Sequence, residues 1–544
     1  MKYTPIFKGL NLAVASLVTV SGFSQNSEKK QEKPNVLFIA FDDLKPILGC
    51  YGDKLVKTPN IDRIAKNGTV FLSNYCQQAV SGPTRASLMT GMRPDYTKVY
   101  TLETKMRDIN PDILSIPQYF ISQGYSTQGI GKVYDPRCVE SEDIPSWSVP
   151  YYSYKHSSKY LDKRVSRMSL LPERAALVEK ITAEAKEKGL SGRALENYVN
   201  KLVNPATECI DVSDNTYPDG AVALCSKDIL KRLKSENKPF FFAVGFDKPH
   251  LPFVAPKKYW DLYKRDKMPL AEYQKPAING FEISHNYGEM RTYTDVPPLG
   301  SFSDMQFGKG LMPIDKQKEL IHGYYAAVSY ADAQLGIILN ALDSLGLTNN
   351  TIIVIWGDHG WHLGDHGQWC KHTNFEQATR SPLIISAPGI KSSVTSSPSE
   401  FVDIFPTLCE LAGAPIPSHL DGKSLVPLMK KPKSMVKEYS VSQYPRYDPA
   451  YKGVRIHNAG NGNCMGYSIR TTQYRLTVWM KDNFRSSQRF DDKLILATEL
   501  YDYKKDPNET INVADEKNYS TIRKNLYKKM LDYMEKQRIK LTKK

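Results

Sequence analysis

The apolar positions of this chain fall into two periodicities. Residues 35–41 form a continuous apolar run that stops at Asp42-Asp43. Such a run, hydrophobic on both faces, predicts a buried and parallel strand. Residues 240–246 repeat the pattern and stop at Asp247-Lys248-Pro249-His250. Residues 351–356 do so again and stop at Gly357-Asp358-His359, and residues 382–387 form a shorter run. Between these runs, residues 59–67, 116–123, 324–345 and 402–412 carry helical spacing. Strands alternating with helices predict an α/β fold, a large and mostly parallel mixed sheet sandwiched by helices. Ligands of such sheets gather at the carboxyl ends of the strands, where the polar residues just named all fall.

Two segments break this alternation. Residues 159–202 are rich in Lys, Arg, Glu and Ala and read as a helical surface insertion. After about residue 430 the runs shorten, with strands expected over 436–442, 465–471, 474–479 and 493–503 and a basic helix at the end. The expected organisation is a large α/β domain over 34–430 and a smaller antiparallel α+β region over 431–544. No internal repeat is present.

Composition adds a compartment and a partner class. At 41% hydrophobic and 24% charged, the 544 residues suit a globular chain. Lys and Arg exceed Asp and Glu by 73 to 58, and a net charge of +15 suggests an anionic partner. Lys2 and Lys8, the apolar stretch 10–20 and the small residues at 21–24 read as a secretory signal over 1–24. That stretch falls short of the roughly 20 residues a spanning helix needs. The expectation is therefore an exported protein, periplasmic or secreted and not membrane-spanning. Export, scattered basic groups and the lack of a recognised module argue against nucleic acid and favour an acidic extracellular polymer. The eight cysteines form no C-x-x-C pair, so no structural zinc site is suggested, and an oxidising compartment permits disulfides.

The most informative segment is Ser81-Gly82-Pro83-Thr84-Arg85, continuing to Thr90-Gly91. Pro83 fixes a turn ahead of a helical run at 84–89, which puts Ser81 near a helix N-terminus, where negative charge is stabilised. Arg85 lies one turn onward. On its own the string also reads as an ordinary helix start. In context it resembles the sulfatases of the alkaline phosphatase superfamily, whose signature is Cys or Ser, x, Pro, x, Arg, then Thr-Gly. Ordered matches run along almost the whole mature chain: NVLFIAFDDLKP, QQAVSGPTR, GKVY, FAVGFDKPH, GDHGWHLGDHGQWCK, SQYPR, MGYSIRT and ELYDYKKDPNET. Within the family they are most similar to the iduronate-2-sulfatase branch.

The resemblance implies that Ser81 is oxidised to formylglycine, whose hydrate attacks sulfur. A Ser in place of Cys implies a bacterial host with an oxygen-independent maturase. Asp42, Asp43, Asp358 and His359 match the metal shell, completed by residue 81. Three carboxylates favour a hard cation such as Ca²⁺. Asp42-Asp43 taken alone also reads as a solvated strand end, and His359 stands where many sulfatases carry Asn. Lys132 and Lys371 match the sulfate-contacting lysines, and with Arg85 they would neutralise the transferring group. His250 matches the acid that protonates the leaving oxygen.

Three departures from that branch stand out. Asp135 replaces a His that contacts a formylglycine hydroxyl, so its part in regeneration is an open question. Asp247 replaces a His and His372 an aromatic residue. Trp361 is expected to line the sugar site, with His372 shaping it, and His362 and His366 behind it as supporting or packing groups. A uronate substrate also needs a carboxylate partner, for which Arg470 and Arg446 are candidates. The implied reaction is exo-removal of a 2-O-sulfate from a terminal uronic acid of a sulfated glycosaminoglycan oligosaccharide. A sulfatase of another position, such as 6-O on hexosamine, a related phosphohydrolase, and a non-catalytic glycan-binding protein are the competing readings.

Overall fold

The computed structural model describes residues 33–152, 154–162, 171–447, 463–481 and 492–542. The signal expected over 1–24 lies outside them. The central sheet contains β1 (Asn35–Asp42), β2 (Thr69–Phe71), β3 (Ser126–Gly131), β4 (Phe240–Pro249), β5 (Thr351–Gly357), β6 (Leu383–Ser386) and β7 (Ser393–Thr395). Their spatial order is β7-β2-β6-β5-β1-β4-β3. β1 lies inside the sheet, parallel to β4 and to β5, and β3 runs parallel to β4 at the edge. β6 is antiparallel to both its neighbours, which makes the sheet mixed.

The apolar run of β1 is continuous because both its faces are covered. Leu37, Ile39 and Phe41 belong to one core cluster, and Val36, Phe38 and Ala40 to the other. The longer helices are α1 (Pro59–Ala65), α2 (Ser81–Thr90), α3 (Ile116–Ser122), α4 (Pro172–Glu187), α5 (Gly192–Leu202), α6 (Pro218–Ser235), α7 (Ile314–Ser344) and α8 (Ile404–Leu411). The last helix is α9 (Ser520–Thr542). α7 starts well ahead of the expected residue 324, directly after Pro313, whose fixed φ suits a helix entry. The expected insertion at 159–202 contains α4 and α5, which pack on each other through Ile181, Val199 and Val203 as a satellite of the main core.

The C-terminal strands β8 (Ser440–Arg446), β9 (Cys464–Arg470), β10 (Tyr474–Lys481) and β11 (Ile495–Asp502) form a four-stranded antiparallel sheet. Its inner face packs on α9 through Ile469, Val478, Leu526 and Met530. Residues 34–544 make one compact unit that holds both sheets. β8 ties the small sheet to the segment ahead of α2, since Gln443 N donates to Gln77 O and Ser442 Oγ to Cys76 O. No disulfide joins the described residues.

Candidate active site

The carboxyl ends of β1, β3, β4 and β5 and the N-terminus of α2 converge. Asp42 ends β1, and Asp43 follows it in the left-handed region at φ 60°, which turns the two carboxylates into one place. Asp358 and His359 follow β5, Lys132 follows β3, and His250 follows β4. α2 begins at Ser81 itself, so Pro83 lies inside the first turn rather than ahead of the helix. It is tolerated there because first-turn N–H groups have no intrahelical acceptor. All ten residues of α2 are buried, and Ser81 is 3% exposed.

Ser81 Oγ donates to Asp42 Oδ1 at 3.1 Å and lies 3.4 Å from His359 Nε2. The Asp43 backbone N–H donates to Asp358 Oδ1 at 3.0 Å, which ties the Asp358 carboxylate to the end of β1. His359 Nδ1 is 3.0 Å from Gly360 O, so that nitrogen carries the proton. Its Nε2 lone pair then points at Asp43 and Asp358, each 3.5 Å away. Asp43, Asp358 and His359 together offer donor atoms within 4.8 Å of one another. Buried carboxylates, a hydroxyl and a correctly presented imidazole nitrogen fit a divalent metal of hard character.

The cations around them are tightly held. Arg85 Nη2 donates to Asp42 Oδ1 at 2.9 Å and Nε to Asp358 Oδ2 at 3.2 Å, while Nη1 reaches the carbonyls of Lys132 and Val133. Arg85 therefore orients carboxylates, and its nitrogens do not open toward a substrate. Lys132 Nζ bonds Asp42 Oδ2, and Lys371 Nζ bonds both Asp43 oxygens, at 3.0 and 3.1 Å. Burial works to raise the Asp42 pKa, but Lys132 and Arg85 override it and hold the group well below the usual carboxylate range. Burial likewise works to deprotonate Lys371, and Asp43 and Glu289 reverse that, so it stays charged. His250 is the more open group, with its side chain 25% exposed. Its Nδ1 is fixed on Leu251 O at 2.6 Å and its Nε2 lies 3.3 Å from Lys371 Nζ.

Four expectations change. Asp135 bonds Arg137, at 2.8 and 2.9 Å, and makes no hydrogen bond to Ser81 among the described residues. Trp361 is wholly buried and does not line an open site; it lies beneath Lys371, whose ammonium stands 5.0 Å from the ring. Arg470 pairs with Glu376 at 2.9 Å and stacks on Tyr503, so its charge is already met inside the fold. Arg446 stacks on Tyr444 and donates to the carbonyls of Ile283 and His372. His372 does reach the site's edge, 2.7 Å from both Tyr444 Oη and Glu289 Oε2. Glu289, 3.7 Å from Lys371 Nζ, had no sequence signal, since it stands on an irregular segment without periodicity. A cavity of about 570 Å³ lined by Arg93, Lys437 and Tyr533 includes none of these residues.

Residues 34–414 match the sulfatase family. The chain belongs to that family. The sulfatase is thus a sulfuric ester hydrolase, and its family generally uses formylglycine and a divalent metal. Residues 364–536 also match the family described as N-sulphoglucosamine sulphohydrolase, C-terminal. Iduronate 2-sulfatase of Homo sapiens is 33% identical, over 93% of this chain and 96% of the relative. An N-acetylglucosamine-6-O-sulfatase of Bacteroides thetaiotaomicron is 26% identical, over 99% and 92%. A solved structure in complex with D-glucosamine-2-N,6-O-disulfate superposes with a TM-score of 0.65 at 23% identity, over 93% of this chain and 98% of that one. No helix among the described residues is long and apolar enough to cross a membrane.

Proposed function

We propose that this sulfatase is exported and removes the 2-O-sulfate of a non-reducing-end uronic acid, iduronate or its 4,5-unsaturated form. Its substrate would be a glycosaminoglycan oligosaccharide such as heparin, heparan, chondroitin or dermatan sulfate. The observation that carries the position is the 33% identity to iduronate 2-sulfatase along nearly the full length of both chains.

In this reading Asp42, Asp43, Asp358, His359 and residue 81 hold Ca²⁺, which supplies positive charge opposite the sulfate oxygens. Ser81, oxidised by a maturase to formylglycine, supplies a hydrated aldehyde whose hydroxyls serve first attack and then release. Arg85 aligns Asp42 and Asp358 and favours the ionised form of both, against a burial that leaves the Asp358 pKa raised. Lys132, on Asp42, and Lys371, on Asp43, bind the sulfate oxygens. His250, with Nδ1 anchored on a carbonyl and Nε2 3.3 Å from Lys371 Nζ, protonates the leaving sugar oxygen.

The test is sulfate release by matured protein from defined disaccharides, with mass spectrometry of the peptide containing residue 81. Release from 2-O-sulfated unsaturated uronate disaccharides, with residue 81 as formylglycine, is expected. Release only from 6-O-sulfated N-acetylglucosamine overturns the position and favours the second reading, which the similarity to the 6-O-sulfatase supports. Unmodified Ser81 in protein that turns over overturns the nucleophile.

A further inference from the structure

The loop leaving β3 carries a cation that the reaction has not used. Lys132, at its start, contacts Asp42. Asp135 follows, its side chain wholly buried, and then Arg137, its side chain 54% exposed. Arg137 Nε donates to Asp135 Oδ1 at 2.9 Å and Nη2 to Oδ2 at 2.8 Å. The Arg137 backbone N–H donates to Oδ1 as well, at 3.0 Å. This fork occupies one edge of the guanidinium. Nη1 makes no hydrogen bond among the described residues, and a planar pair of N–H donors remains available to a carboxylate.

The location suits the substrate. The loop wraps the site, because its Lys132 and Val133 carbonyls receive Arg85. Arg137 feels the charge of Asp42, and Asp135 that of Lys132. Asp247, the acid on the neighbouring strand end, already has Lys248 at 3.5 Å. The flank across β1 holds an acid beside the Lys371 cation. There Glu289 stands beside Lys371 and His372, and although burial works to raise its pKa, those neighbours hold it ionised. A sugar bearing both a sulfate and a carboxylate would meet an open cation on the β3 side and an anion on the β5 side.

We propose that Arg137 binds the carboxylate of the terminal uronic acid, that Asp135 positions it, and that Glu289 repels the carboxylate from the opposite wall. This rests on the uronate reading above. It gives the carboxylate a partner where Arg470 and Arg446 are already engaged inside the fold. It also gives Asp135 a purpose at the position where the resembled branch carries His: a buried acceptor that aims an exposed guanidinium.

The experiment compares matured wild type, Arg137→Ala, Arg137→Lys and Asp135→Asn on two substrates. One is the 2-O-sulfated unsaturated disaccharide, and the other is the same disaccharide with its carboxyl reduced to an alcohol. The quantity read is the ratio of kcat/KM between them. Arg137→Ala is expected to lower that ratio by about ten- to a hundredfold, the scale of one charge-assisted contact, chiefly through KM on the acid. Arg137→Lys should retain part of the ratio, and Asp135→Asn should move it in the direction of Arg137→Ala. A wild-type preference for the acid that survives in Arg137→Ala overturns the assignment of Arg137 alone. Wild-type turnover confined to 6-O-sulfated N-acetylglucosamine overturns the uronate reading and this inference with it.

Discussion

Each nitrogen of Arg85 meets a group that the site itself needs: two carboxylates and two carbonyls of the Lys132 loop. Removing it strands Asp42 and Asp358 in a buried place without their counter-charge. Arg85→Ala should therefore cost about 3–5 kcal/mol of stability, the scale of breaking a buried pair, besides abolishing sulfate release. Arg85→Lys restores one charge but not the fork, so melting should recover more than turnover does. Denaturant unfolding and sulfate assay on the same preparations separate the two. At this scale the sequence was legible where chemistry follows an apolar run. Asp42, Asp43, Asp358, His359 and His250 each stand just past a strand whose hydrophobicity announces it. Lys132 and Lys371 stood out only through the family pattern. Arg137 and Glu289 were not visible, because an exposed arginine and a loop glutamate are commonplace until folding shows what they face.

At the scale of elements, β3 is a strand that periodicity did not find, as it also missed the three-residue β2 and β7. Its sequence, Ser-Thr-Gln-Gly-Ile-Gly, offers no apolar run, and its glycines serve closeness instead. Gly131 pairs with Gly245 of β4 in register. A Cβ on Gly245 would lie 2.0 Å from the Lys132 carbonyl carbon, and one on Gly131 would lie 2.1 Å from Gly245 O. Gly131 also sits at φ 76°, which other residues resist. The two strands approach here because neither has a side chain, and that approach delivers Lys132 to Asp42. Gly245→Ala should push the end of β3 outward, destabilise the protein by about 1–3 kcal/mol and lower sulfate turnover. Normal melting with normal turnover would show that the close approach is dispensable. The strands β1, β4 and β5 were legible for the converse reason, since both their faces are buried.

At the scale of the molecule, the loop after β5 joins the small sheet through a buried aromatic knot. Phe375 lies 4.5 Å from His366, 5.1 Å from His285, 6.1 Å from His362 and 5.9 Å from Tyr501 of β11, ring centre to ring centre. Burial pushes His362 down to about 3 and His366 to about 4, with Asp365 pulling weakly the other way in both. His285 is also pushed well below its ordinary value, by burial and by His366. In the unfolded chain these groups would take up protons near pH 6.5, whereas the folded protein refuses them. The stability they allow is complete above pH 6.5 and is lost as the pH falls toward 4 for His366 and 3 for His362. The slope amounts to about 1.4 kcal/mol per pH unit per histidine at most. Melting temperature should drop steeply between pH 6.5 and 4, and His366→Asn, which tolerates the φ of 57° found there, should flatten that drop. A melting curve whose slope is unchanged in the variant would remove His366 from this account.

Ser81 starts a helix that is buried along its whole length. At 3% exposure the Ser81 side chain is closed to the catalytic residues of a second protein. The oxidation proposed for this residue is therefore an event in the life of the nascent chain. In that proposal a maturase would compete with folding for the same segment, and a molecule that folded first would keep its serine.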